Sequence, residues 1–196
     1  AHFNRGLTHL KLNEVAAAID DFSQVLSLDP DNASAHYQRG MAHVRWEALP
    51  QAIEDFDAAL ASMPESAALY AQRANAYYRL QAYQRAVADY TRALDLRPTD
   101  VTLMLNRGLT HLASGDVEQA ISDYDRAIEH APENALAYYY RGQAYVQQDE
   151  ERKALADFEQ ALRLEPDNAQ IHTGLGMAYA RMLDFEQALD AYERAM

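Results

Sequence analysis

Ser, His and Asp, the residue types of a hydrolytic triad, all occur in this chain of 196 residues, but not in a local pattern that makes them act together. No Gly-x-Ser-x-Gly turn surrounds any serine, and no glycine-rich loop is present to cradle a phosphate. The seven histidines raise a metal reading. His2 and His9, like His36 and His43, stand seven residues apart, whereas metal sites on helices use three- or four-residue spacing with a third ligand converging. Without cysteine the chain has no thiolate ligand, disulfide or thiol nucleophile. No metal, cofactor or catalytic group is therefore expected.

Two polar series remain. Arg5, Arg39, Arg73, Arg107 and Arg141 recur at a fixed interval, and so do Asp21, Asp55, Asp89, Asp123 and Asp157. Asn4, Gln38, Gln72 and Asn106 recur one position ahead of the first four arginines. The first series suits ion pairing. The second suits recognition of a polypeptide backbone, because a carboxamide carries both donors and an acceptor and can bond a main chain whatever its side chains are.

The interval is 34 residues. Pro30, Pro64, Pro98, Pro132 and Pro166 keep it, as do Gly6, Gly40, Gly108, Gly142 and Gly176, with Ala74 in the third glycine slot. Ala18, Ala52, Ala86, Ala120, Ala154 and Ala188 form another series; Phe22, Phe56, Tyr90, Tyr124, Phe158 and Tyr192 form a fourth. In the fifth repeat, Tyr138, Gly142 and Tyr145 share one stripe of a helix, and Ala154, Phe158 and Ala161 share a stripe of a second helix. Asp29-Pro30-Asp31-Asn32 and Glu165-Pro166-Asp167-Asn168 stop one helix and cap the next, and Ser114-Gly115-Asp116 reads as a turn within a pair. Each repeat is thus a helix pair. A single pair cannot bury its apolar face, so neighbouring pairs must stack.

This pattern resembles the tetratricopeptide repeat family, whose signature of aromatic-x-x-Leu-Gly-x-x-Tyr, Ala-x-x-x-Phe and Pro is met by Tyr138, Gly142, Tyr145, Ala154, Phe158 and Pro166. Arg141 and its equivalents depart from it, standing in the family's leucine slot. The resemblance implies an all-α fold, a right-handed superhelical solenoid of antiparallel helix pairs. It would form one domain over 1–196, in repeats 1–32, 33–66, 67–100, 101–134, 135–168 and 169–196, with the first helix of each pair on the concave side. It implies a protein-interaction scaffold rather than an enzyme. The carboxamide series is similar to the asparagine ladder in the superhelix of O-linked N-acetylglucosamine transferases. By the family's geometry Tyr138 packs in the core, in the slot of His2, His36, Tyr70, Met104 and His172, while Tyr139 and Tyr140 face the hollow. The expected peptide groove comprises Asn4, Tyr37, Gln38, Arg45, Gln72, Asn75, Tyr78, Arg79, Asn106, Tyr139, Tyr140 and Gln143. A chaperone-type carboxylate clamp is not expected, because the slot of Phe3, Tyr37, Ala71, Leu105, Tyr139 and Thr173 holds no cation.

Net charge is −13, which disfavours nucleic acid and anionic membranes as partners, and no apolar run is long enough to span a bilayer. None of the 30 acids falls in the first-helix segments 1–12, 33–46, 67–80, 101–114, 135–148 and 169–182, which end near Lys11, Arg45, Arg79 and Arg181. An inner surface clear of carboxylates and edged by cations suits an extended, acidic peptide. The five arginines are expected to pair with the five aspartates of their own repeats. The sixth repeat carries Leu175 and Ala191 instead. Both charges vanish together there, as pairing requires, because an unpaired half-buried arginine costs about 3–5 kcal/mol.

The chain begins at Ala1 and reaches Met196 as the sixth second helix completes, so it reads as a piece of a longer protein. Leu189, Tyr192 and Met196 are expected to lie partly uncovered. End-to-end association of copies is the alternative to groove binding, as is service as the regulatory domain of a larger enzyme. The compartment is left open.

Overall fold

The computed structural model describes residues 1–196 as twelve α-helices without a strand. The chain divides into two compact units, Ala1–Pro98 and Thr99–Met196. Unit 1 contains α1 (His2–Lys11), α2 (Val15–Leu28), α3 (Ala33–Arg45), α4 (Leu49–Ser62), α5 (Ala67–Arg79) and α6 (Tyr83–Leu96). Unit 2 contains α7 (Val101–Ser114), α8 (Val117–His130), α9 (Ala135–Gln147), α10 (Glu151–Leu164), α11 (Ala169–Arg181) and α12 (Phe185–Arg194).

Each odd-numbered helix pairs with the even-numbered helix that follows it. Within a unit, each pair then packs through its second helix on the first helix of the next. Successive first helices also touch, α1 with α3 and α3 with α5 in unit 1, α7 with α9 and α9 with α11 in unit 2. The first helices therefore occupy the tighter, inner side of each unit.

The glycine and aromatic series meet inside each pair. A Cβ on Gly40 would lie 2.7 Å from the ring of Phe56, and one on Gly108 would lie 2.5 Å from the ring of Tyr124. Glycine thus lets the second helix press an aromatic ring directly against the backbone of the first. Phe22, Phe56, Tyr124 and Phe158 are almost wholly buried this way, surrounded by the alanine series.

The start of each first helix after α1 is capped by a short polar side chain. Asn32, Ser66, Asp100, Asn134 and Asn168 accept from the backbone N–H of Ala35, Leu69, Leu103, Ala137 and Ile171. At the other end, Asn13, Glu47, Gln81, Asp149 and Leu183 adopt positive φ, between 58° and 64°, and Gly115 stands at 86° in the equivalent place. The next residue's N–H returns to a carbonyl of the last turn, as from Glu14 to His9 at 2.8 Å and from Ala48 to His43 at 2.9 Å. These are Schellman closures, built in five of six repeats without the glycine that such a turn favours.

Candidate functional site

The arginine slot is a three-helix staple. Arg5 Nε and Nη2 donate to Asp21 at 2.8 and 2.6 Å. Arg73 donates to Asp89, and Arg107 and Arg141 donate to Asp123 and Asp157, through the same two-pronged fork at 2.5–2.8 Å. Arg39 grips Asp55 likewise, with its shortest contact 2.7 Å. The aspartates are buried, so each fork replaces water with paired donors. In Arg39, Arg73 and Arg141 the remaining guanidinium nitrogen reaches back to the preceding repeat. Arg39 donates to Ser23 at 3.1 Å, Arg73 to Asp57 at 2.5 Å and Arg141 to Asp125 at 2.6 Å. The sequence suggests the forward contacts; the backward ones depend on how repeats stack.

The slot of Tyr138 supports the same staple. His2 and His36 place Nδ1 at 3.0 and 2.9 Å from Asp21 and Asp55. Tyr70 and Tyr138 lie under the guanidinium groups of Arg73 and Arg141, at 5.6 and 5.7 Å. The hydrogen bonds from Arg5 and then His2 hold the Asp21 carboxyl well below the usual carboxylate range. Burial works against ionisation of Asp55, but donors from His43, Arg39 and His36 outweigh it and lower its pKa. In the sixth repeat Leu175 packs on the core, Ala191 is buried, and the Nδ1 of His172 is left without a partner while its Nε2 meets the carbonyl of Pro166 at 2.8 Å.

The carboxamides behave differently. Asn4 is exposed and Gln38, Gln72 and Asn106 are half-buried, and none of the four side chains is hydrogen-bonded within the chain. In unit 1, Tyr37 and Gln38 line a pocket of about 340 Å³ with Phe3 and Leu69. Asn75 is exposed, and Tyr78 packs against Tyr83 with ring centroids 5.8 Å apart and the rings tilted by 57°. In unit 2, Tyr139 packs on Phe158 at 5.9 Å and accepts a hydrogen bond from Gln143 at 2.8 Å; Tyr140 lies over Tyr124 at 5.9 Å. Burial raises the Tyr139 hydroxyl pKa.

The cation slot at the first-helix ends is occupied by internal contacts. Arg45 donates to the carbonyl of Leu10 at 3.0 Å. Arg79 donates to the carbonyl of Val44 and pairs with Glu47, while Arg181 pairs with Asp149 and Glu151. Arg45 and Arg79 add a second donor to last-turn carbonyls of the repeat before them, and Arg79 and Arg181 pair with its carboxylates, which adjusts the sequence reading of Arg45 and Arg79 as ligand cations. A backbone carbonyl leaves no trace in residue types, so the contacts of Arg45 with Leu10 and of Arg79 with Val44 emerge only once the repeats are stacked. At the far end, Leu189 is 63% exposed and Met196 is 99% exposed, with Tyr192 half-buried.

Stacked helix pairs with unengaged polar side chains on their inner helices define a helical-repeat scaffold for protein–protein interaction. Tetratricopeptide repeat models match residues 1–32, 74–140 and 135–168, and the chain belongs to that family. No curated protein sequence matches it significantly. Among solved structures it is similar to MamA from Desulfovibrio magneticus RS-1 (23% identity, TM-score 0.76, over 84% of this chain and 93% of that one). It is also similar to YrrB, described as a TPR protein with an unusual peptide-binding site (25% identity, TM-score 0.76, 87% and 88%). A tetratricopeptide repeat protein from Parabacteroides merdae matches over 99% of this chain and 76% of its own, at 19% identity and TM-score 0.76.

Proposed function

We propose that the chain binds an extended peptide along its first helices, gripping the ligand's main chain through carboxamides. The observation that carries this reading is the set Asn4, Gln38 and Gln72, at equivalent points of three touching helices, with side-chain donors and acceptors unspent. In unit 2, Asn106 holds the same position, and Tyr139, Tyr140 and Gln143 supply rings and a further amide. The first helices carry no acid, so carboxylates on a ligand meet no like charge there. The peptide-binding site described for YrrB supports the same reading.

The test is affinity for a peptide recovered by pull-down and mass spectrometry, then synthesised. Gln72→Ala and Asn106→Ala should each weaken it about fivefold, the loss of one neutral hydrogen bond, with the melting temperature unchanged. Unaltered affinity in both variants rejects the carboxamide grip.

A second reading, association of copies through end faces, draws on the exposure of Phe185, Leu189 and Met196. Light scattering over a hundredfold concentration range, about 5 to 500 µM, separates the two, because assembly raises the average mass with concentration and groove binding does not.

A further inference from the structure

Asn4, Gln38, Gln72, Asn106 and Tyr140 share one position in successive repeats, and Gly174 takes that position in the sixth. In the fifth repeat the Tyr140 ring lies over Tyr124, the buried aromatic of the repeat before, at 5.9 Å. In the sixth, the corresponding buried aromatic is Phe158, and Gly174 sends no side chain over it. A Cβ on Gly174 would lie 3.0 Å from Phe158 and 3.3 Å from the Tyr139 ring, so even a methyl group would crowd both rings. What remains is a pocket of about 240 Å³, floored by Phe158 and Gly174, walled by Tyr139, Leu112 and Val146, and rimmed by Met177. No charged residue lines it. Gln143 and Gln147 stand beside it, with the Gln143 amide nitrogen already on the Tyr139 hydroxyl.

We propose that this pocket in unit 2 is a specificity site that takes one aromatic side chain of a bound peptide, seated over Phe158 as Tyr140 is seated over Tyr124. The inference rests on the peptide-binding reading and adds what the ligand must carry. An aromatic ring matches a lining that already offers two aromatic rings, and the pocket is sized for one side chain rather than a chain segment. The absence of charge in the lining excludes an acidic or basic side chain, which would surrender its hydration without a partner. The flexible, half-exposed Met177 lets the rim close on rings of different shape.

The experiment uses the whole chain with methyl-labelled Met and Leu and three capped probes, Gly-Gly-X-Gly-Gly with X as Phe, Leu or Glu. The Phe probe should shift the Met177 and Leu112 methyl resonances saturably, with a dissociation constant of about 1 mM. The Leu probe should bind about threefold more weakly, and the Glu probe should leave both signals in place. Gly174→Gln should weaken the Phe probe at least about tenfold. Met177→Glu, at an exposed rim position, tests the same point without touching the core and should do likewise, read at Leu112. Methyl signals unmoved by the Phe probe, equal response to Phe and Glu, or undiminished binding in the Met177→Glu variant would overturn the proposal. A partner peptide that is weakened by Gln72→Ala yet indifferent to Gly174→Gln and Met177→Glu would refute this pocket alone and leave the carboxamide grip standing.

Discussion

At the scale of single residues, the arginine slot shows why a charge can replace the leucine of the family pattern. Each guanidinium is held by a buried carboxylate of its own repeat, so neither charge is stranded. Arg141 and Asp157 have side chains 20% and 8% exposed. Removing one partner alone should be costly: Arg141→Leu or Asp157→Ala should each lower unfolding stability by about 3 kcal/mol. The double replacement reproduces the Leu175/Ala191 pairing of the sixth repeat and should recover most of that loss. Urea unfolding of the four proteins measures the coupling. Additive losses would mean that the two side chains act separately.

At the scale of elements, the turn inside each helix pair was the least readable part of the sequence. Asn13, Glu47, Gln81, Asp149 and Leu183 follow no single residue type, and in that series Gly115 and Asn13 alone are residues that favour a left-handed backbone. The turn geometry is imposed by the helices on either side, which must return antiparallel within three residues, and not by the residue at its apex. Leu183 bears this constraint with a bulky side chain at φ 64°, exposed to solvent. Leu183→Gly should therefore raise stability by about 1 kcal/mol, seen as a higher thermal midpoint. The helices themselves were legible, because glycine, alanine and aromatic positions recur on fixed faces. So were the forward Arg–Asp forks, whose partners keep a constant separation. The Gly174 pocket was not: a single glycine in a variable slot has meaning only once the rings of Phe158 and Tyr139 are placed around it.

At the scale of the whole molecule, the acids are segregated. All 30 acids sit in turns and second helices, and five of the aspartates among them are buried as acceptors for arginine. Asp21 and Asp55 are held below their ordinary pKa in the folded state. Their contribution is therefore complete above the unfolded carboxylate value of about 3.9 and is lost as pH falls through the folded values. The urea midpoint, followed by fluorescence of the single Trp46, should drop between about pH 4 and pH 2. Asp55→Asn should flatten that descent, since the amide has no proton to gain. An equally steep descent in the variant would place the acid sensitivity in other carboxylates.

The backward reach of the arginines is not uniform, and this grades the seams between neighbouring pairs. Arg73 and Arg141 find a carboxylate behind them, whereas Arg39 finds only the hydroxyl of Ser23. A carboxylate adds the attraction of opposite charges to the hydrogen bond, which a hydroxyl does not. The seam between α2 and α3 is thus the weak link of unit 1, and its amide protons should trade with deuterium sooner than those between α4 and α5.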